Sequence, residues 1–320
     1  MRATVLRAGG RVEFVPNHAS AGPQPGEVPV RILTAGVCET DLQLAKGYMG
    51  FTGVLGHEFV GIAEEGRFAG RRVAGEINCS CRTCAYCRAG LANHCPNRSV
   101  IGILQHDGAF ADKLFVPDEN LHPIPDSVSN DEAVFVEPLA AAFQIPTQVD
   151  LSRVGKAIVL GDGRLGNLCA QVLHRLGCPV TAIGKHDWKL DRLRAAGVAT
   201  RRLEDFIAEA TARDADLVVD CTGSPSGLET ALKVIRPRGT LVLKTTTAAE
   251  HGPNLAAVVI DEITVVGSRC GPFDRAIEAL ERREIDVLPL VTARYPLEDS
   301  EEAIRAAARP ENLKVLIDIA

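Results

Sequence analysis

Lys156-Ala157-Ile158-Val159-Leu160-Gly161-Asp162-Gly163-Arg164-Leu165-Gly166 is the stretch that decides the reading of this chain. The first five residues form a short apolar run that stops at a glycine, the pattern of a buried strand. Beyond the glycines, Leu165, Leu168, Cys169, Val172 and Leu176 recur at helical spacing and make one apolar stripe. Gly177 stands where a helix C-cap glycine belongs. A G-x-G-x-x-G between a strand and a helix is the setting in which this motif binds a dinucleotide. Gly161 makes the tight turn, Gly163 lets the backbone approach a pyrophosphate, and Gly166 lets helix meet strand. The pyrophosphate then lies at the positive end of the helix. Arg164 and Leu165, between the glycines, are assigned to the same site. A glycine turn without a ligand is the plainer alternative, and the strand–helix context weighs against it.

The rhythm continues on both sides of this unit. Val180–Ile183 reads as a strand, followed by a charged helix through Leu190, Leu193 and Ala196 that closes at Gly197. Asp216–Asp220 and Thr240–Leu243 repeat the strand theme around a helix near 228–235. Uniformly apolar strands alternating with helices predict a doubly wound parallel sheet covered on both faces. Thr222, just past Asp220, is assigned to the cofactor site. At the end of the second strand stands Ile183-Gly184-Lys185-His186. Dinucleotide folds of this kind usually place an acid there to bind the ribose hydroxyls of NAD. Gly184 occupies the acid's position, and Lys185 and His186 follow as a basic edge, so NADP is favoured over NAD. The alternative keeps Lys185 as a solvated charge and gives the ribose to Asp187.

Up to about residue 135 the sequence is short β segments broken by glycine and proline, among them Val28–Leu33, Phe59–Ala63 and Lys113–Val116. After Gly267 the pattern changes to helices near 273–283 and 299–308 and a final strand, Lys314–Ile317. The 320 residues suit two domains. With 35 basic and 41 acidic residues the net charge is −6, which argues against nucleic acid or an anionic membrane surface as partner. No apolar run approaches the roughly 18 residues of a membrane span, and residues 1–5 lack the apolar stretch of a signal peptide. A cytoplasmic protein is expected.

Five of the ten cysteines, Cys79, Cys81, Cys84, Cys87 and Cys95, fall within 17 residues. In a reducing compartment such a cluster points to metal before disulfides. Cys81-x2-Cys84-x2-Cys87-x7-Cys95 can close a four-thiolate structural zinc site with no open position for chemistry. Cys79 is a fifth thiol, and a register that uses it is the alternative. A second site has to be assembled from distant pieces. Cys38-Glu39-Thr40-Asp41 follows an apolar segment, Gly56-His57-Glu58 precedes a strand, and Glu137 is a lone carboxylate in an apolar stretch. An unpaired buried carboxylate is costly, so Glu137 is expected to have a partner, with a cation the obvious one. His57 or Cys38 alone would more often be a core residue. Their combination raises the metal reading.

Cys38-x-x-Asp41, Gly56-His57-Glu58-x-x-Gly61, the four-cysteine lobe, Glu137-Pro138-Leu139-Ala140 and the Gly161–Gly166 turn come in the order of the zinc-dependent medium-chain dehydrogenases/reductases, which the chain resembles over nearly its whole length. The resemblance implies a GroES-like catalytic domain with an inserted Rossmann domain. Its expected bounds are 1–141 with 269–320 for the catalytic domain, whose zinc lobe spans about 77–98, and 142–268 for the insertion. It implies two zinc ions per chain and a homodimer or homotetramer. It places Cys38 and His57 on the catalytic zinc. The Glu-Pro-Leu-Ala form of the third-ligand region looks like the polyol, sugar and threonine dehydrogenase branches, in which Glu58 can also coordinate, and either Glu58 or Glu137 can bind directly or through water. The relay histidine of some relatives falls at Gln43, which cannot shuttle a proton as imidazole does. Any relay would start at Thr40, with Asp41 orienting His57. The expected activity is hydride transfer between an alcohol or polyol carbinol and NAD(P). The alternative is a catalytically silent nucleotide-binding sensor or scaffold, and the complete set of ligand candidates argues against it.

Overall fold

The computed structural model of the chain describes residues 1–209, 212–244 and 254–320. Two units emerge, one built from Met1–Glu137 with Val287–Ala320 and the other from Pro138–Asp286. The first unit is organised on one long strand, Glu27–Gly36. Glu58–Ala63, Lys113–Pro117 and Lys314–Asp318 all pair with it antiparallel. Residue 36 is the meeting point, because Gly36 stands opposite both Glu58 and Leu316. The seven-stranded sheet is completed by Arg72–Gly75, Leu121–Pro123 and Val291–Pro296. A short ribbon, Asn78–Cys79 with Ser99–Val100, carries the cysteine-rich segment between its strands.

The backbone entering His57 is clamped from one side. Gly108 N–H, Ala109 N–H and Phe110 N–H donate to the carbonyls of Val54, Gly56 and Leu55 at 2.8, 2.8 and 2.9 Å. Phe110 is fully buried. Gly56 has a φ of +95°, and a Cβ there would lie 2.3 Å from the Phe110 ring. Only glycine combines that dihedral with that approach.

In the second unit the sheet has the order Ala199–Arg202, Val180–Gly184, Ala157–Leu160, Ala215–Asp220, Ile235–Leu243, Thr264–Gly267, and every neighbouring pair is parallel. This is the 3-2-1-4-5-6 order of a doubly wound dinucleotide fold. Ile158, Leu160, Ile183, Val218 and Leu241 are buried in its core. The stripe read from the sequence is the buried side of the helix Arg164–Arg175, where Leu168, Cys169 and Val172 are inaccessible. Leu176 departs from that reading. It is the C-cap, 42% exposed, because Gly177 at φ +78° turns the chain away one residue later. The helix Phe273–Glu281 lies within this second unit. The physical reason is a set of bonds near its end. Gln171 donates to the Asp286 carbonyl and accepts from the Asp286 N–H, both at 3.0 Å, and Arg175 pairs with Glu284 at 3.1 Å. Among the described residues no helix is long and apolar enough to cross a membrane.

The Gly56 clamp makes a stability prediction. Gly56→Ala should lower the unfolding free energy by about 2–4 kcal/mol in a urea titration. Phe110→Leu added to it should cost less than it does alone, since the two changes share one contact. Strictly additive losses would show that the ring does not confine Gly56.

Candidate active site

Cys38 is the N-cap of the helix Glu39–Ala45. Asp41, one turn into that helix, turns back to it, and its Oδ2 accepts the Cys38 N–H at 2.8 Å. Its Oδ1 accepts the Gly56 N–H at 3.3 Å and lies 3.5 Å from His57 Nδ1. One fully buried carboxylate thus ties the loop carrying Cys38 to the strand entry carrying His57 and Glu58. Sγ of Cys38, a ring nitrogen of His57 and a carboxylate oxygen of Glu58 all fall within 4.8 Å of one another. Thr40 Oγ1 lies 3.7 Å from Cys38 Sγ.

The sequence reading missed the fifth member, Lys314. Its Nζ pairs with Glu58 Oε2, and the side chain is 1% exposed. It reaches Glu58 by passing over Gly36, where a Cβ would be 2.5 Å from Lys314 Cε and 2.7 Å from Nζ. The ammonium also stands over the Phe135 ring, 5.5 Å from its centroid. Burial pulls the Lys314 pKa down to about 8, against Cys38 and Asp41, which pull it up. The pairing with Glu58 and the Phe135 ring beneath it favour the charged form against that burial. Burial likewise opposes protonation of His57, but Asp41 and Cys38 outweigh it and hold the imidazolium well above its ordinary value. The cluster is rich in anionic donors, and among the described residues buried His57 Nδ1 has no partner nearer than Asp41 Oδ1 at 3.5 Å. A soft thiolate, an imidazole and a carboxylate gathered in one largely buried group suit zinc. Glu137, in the first turn of the helix Val136–Gln148, is half-buried and lies outside that three-residue group. Gln43 donates from Nε2 to Glu39 Oε1 at 2.8 Å.

In the lobe, Cys81, Cys84, Cys87 and Cys95 gather within 4.8 Å. Their sulfurs stand 3.5 Å (Cys84–Cys87), 3.8 Å (Cys84–Cys95) and 3.5 Å (Cys81–Cys95) apart. A tetrahedron with Zn–S bonds of about 2.3 Å has edges of about 3.8 Å, so the cage fits. The Thr83 N–H and hydroxyl pull the Cys81 pKa to about 5, whereas desolvation and the crowded Cys84 and Cys95 thiols push Cys87 to about 11. Cys79 is not in the cage. Its Sγ is 4.0 Å from both the Ile77 carbonyl and Asn120 Nδ2.

The glycine turn has the geometry its residue types require. Gly161 has φ +112°, and a Cβ there would be 2.7 Å from the Cys221 carbonyl oxygen. A Cβ on Gly166 would be 2.0 Å from the Gly161 carbonyl oxygen, whereas one on Gly163 would meet nothing within 4 Å. Open space above Gly163, at the start of a twelve-residue helix with no side-chain cap, fits a pyrophosphate. Arg164 and Leu165 open that helix, both half-buried. Thr222 N lies 3.2 Å from the Cβ position of Gly161, and its hydroxyl donates to Asp220 Oδ1 at 2.8 Å. Lys185 is exposed, Gly184 is buried, and His186 Nδ1 is 3.0 Å from Asp162 Oδ2. Position 184 has no acid of its own, but an acid stands beside it, because the Asp162 carboxylate lies against Gly184. Asp162 counts only as filler in the motif, so the pattern alone gave no sign of it.

Residues 24–126 match the alcohol dehydrogenase GroES-like domain, and residues 165–284 match the zinc-binding dehydrogenase domain. The chain is 28% identical to a sorbitol dehydrogenase of Halalkalibacterium halodurans, over 92% of this chain and 93% of that one. An alcohol dehydrogenase from Thermus sp. ATN1 superposes with a TM-score of 0.87 at 28% identity, covering 100% of both chains. A protein described as a zinc-binding dehydrogenase from Sinorhizobium meliloti 1021, solved bound to NADP, gives 0.88 at 26% identity over 99% of both. The chain belongs to the zinc-dependent medium-chain dehydrogenases/reductases. It is an NAD(P)-dependent oxidoreductase that moves hydride between an alcohol or polyol carbinol and the nicotinamide.

The Lys314–Glu58 pair makes a prediction. Lys314→Met removes one partner of a buried pair and should destabilise the chelator-treated protein by about 3–5 kcal/mol. Saturating zinc should recover most of that loss, by supplying the missing positive charge. Unfolding curves in EDTA and in zinc that show the same loss would detach Lys314 from the metal cluster.

Proposed function

We propose that this enzyme is a polyol or sugar-alcohol dehydrogenase with one catalytic and one structural zinc ion per chain. The observation that carries the reading is the group of half-buried Cys38 with buried His57 and Glu58, in which carboxylate oxygen accompanies sulfur and nitrogen. Cys38 and His57 hold the catalytic ion together with a carboxylate from Glu58 or Glu137. Cys81, Cys84, Cys87 and Cys95 hold the structural one. Zinc at the first site supplies Lewis acidity, which makes a substrate carbinol acidic enough to release its proton near neutral pH. Thr40 Oγ1 accepts that proton as its own hydroxyl proton passes to solvent at the half-buried edge of the site, so the hydroxyl relays the proton and never holds it. Asp41 keeps the His57 ring oriented, and Lys314 holds Glu58. An anionic, oxygen-rich set moderates the Lewis acidity and suits a substrate with neighbouring hydroxyls. The sorbitol dehydrogenase relative supports the same substrate class. Exposed Lys185 beside Gly184 supports NADP over NAD, as a charge-assisted contact to a 2′-phosphate.

Turnover with a panel of polyols and simple alcohols, followed by the absorbance of the reduced nicotinamide, tests the substrate class. Faster turnover of ethanol than of any polyol would defeat it. Metal analysis tests the sites. The wild type should carry about two zinc ions per chain. Cys84→Ser should lose one and lower the melting temperature, since structural zinc supplies folding energy. Cys38→Ser should lose the other, abolish turnover and leave the fold in place. Wild-type metal content in both variants would refute both sites. Glu137→Ala should weaken zinc retention or activity, and wild-type behaviour would make Glu137 a bystander.

A further inference from the structure

The dinucleotide half of the enzyme contains a carboxylate with no assigned task. We infer that Asp162, within the glycine turn, reads the adenosine ribose of the cofactor and discriminates against a 2′-phosphate. The inference rests on the NAD(P)-dependent reading and adds to it a residue that weighs against Lys185 in cofactor choice.

In a doubly wound fold the acid for the ribose normally ends the second strand. Here that residue is Gly184, the last residue of Val180–Gly184. A Cβ on Gly184 would lie 2.5 Å from Asp162 Cβ and 2.6 Å from Asp162 Oδ2. The Asp162 carboxylate therefore fills the space in which a side chain from position 184 would begin. The glycine at 184 and the acid at 162 are two halves of one arrangement, since any larger residue at 184 would expel Asp162.

The carboxylate is fixed in orientation. Its Oδ2 accepts the N–H of Lys185 and the N–H of His186, both at 2.7 Å, and lies 3.0 Å from His186 Nδ1. Its Oδ1 accepts no hydrogen bond among the described residues. Asp162 is 8% exposed, so this second oxygen is held at the edge of the site and not lost to bulk water. An acceptor with free lone pairs, beside the end of the second strand, is what a ribose diol binds. The other candidate acid, Asp187, is 64% exposed and engaged by Arg202 at 3.2 Å. A 2′-phosphate brought to the same place would meet the Asp162 charge, because the anion and the dianion would be near neighbours. Lys185 acts in the opposite sense. Cofactor choice is then the balance between a carboxylate from the first turn and a lysine after the second strand.

Equilibrium binding tests this without zinc chemistry or turnover. Trp188, the single tryptophan, sits in the helix that begins just after His186 and can report binding by fluorescence, with calorimetry as a second readout. Asp162→Asn keeps the side-chain shape and one acceptor but removes the charge. It should shift the ratio of the Kd values for NAD and NADP by about 10–100-fold toward NADP, the range of one charge-assisted contact. Asp162→Gly combined with Gly184→Asp moves the acid to its usual strand-end position and should restore the wild-type ratio. Lys185→Ala should shift the ratio the other way. If Asp162→Asn weakens both cofactors equally, Asp162 only holds the loop and the inference fails. If it weakens NADP selectively, the assigned sign is wrong. A wild-type protein that binds neither dinucleotide would overturn both this inference and the reading beneath it.

Discussion

Four ionisable side chains, Asp41, His57, Glu58 and Lys314, are each nearly inaccessible to solvent and gather beside Cys38. Charges in such a place are tolerated only when they are paired or bound to a cation. Everything around them serves that condition. Gly36 leaves a gap through which Lys314 reaches Glu58, and Gly56 lets Phe110 press against the backbone that presents His57. Asp41 spends both oxygens on fixing the two segments. The chain commits three separate stretches of sequence to one small volume, which makes sense for a site whose ligands must hold position through a reaction.

The dinucleotide half is built on different physics. Its strands are buried on both faces and its specificity lies in backbone geometry. Gly161 and Gly166 are excluded from bearing side chains by contacts of 2.7 and 2.0 Å, whereas a Cβ on Gly163 would meet nothing within 4 Å. The same turn carries Asp162, so one loop both leaves open space above Gly163 at a helix start and brings a carboxylate to the second strand's end.

Features set by local spacing could be read from the sequence. The strand–glycine–helix unit and the Cys-x2-Cys-x2-Cys-x7-Cys lobe are each held within one short stretch, and their geometry follows from residue type and interval. Cys38, His57 and Glu58 became legible only as a set that resembles a family, because nothing local brings them together. Lys314 was invisible, being one residue in an apolar C-terminal strand whose partner lies near the other end of the chain. Asp162 was hidden for another reason. It occupies a position that the motif leaves unspecified, and its meaning depends on the absence of a side chain at Gly184. Leu176 was misplaced on the buried stripe because it caps the helix, where Gly177 turns the chain away and capping outweighs periodicity.

The central claim is that two chemically distinct cation sites exist, one of pure sulfur and one that mixes sulfur with nitrogen and oxygen. X-ray absorption at the zinc edge of the purified enzyme measures this directly. The account predicts a sulfur shell near about 2.3 Å together with a nitrogen/oxygen shell near about 2.0–2.1 Å, the latter disappearing in Cys38→Ser. A wild-type spectrum with four sulfurs per zinc and no nitrogen or oxygen shell would contradict it.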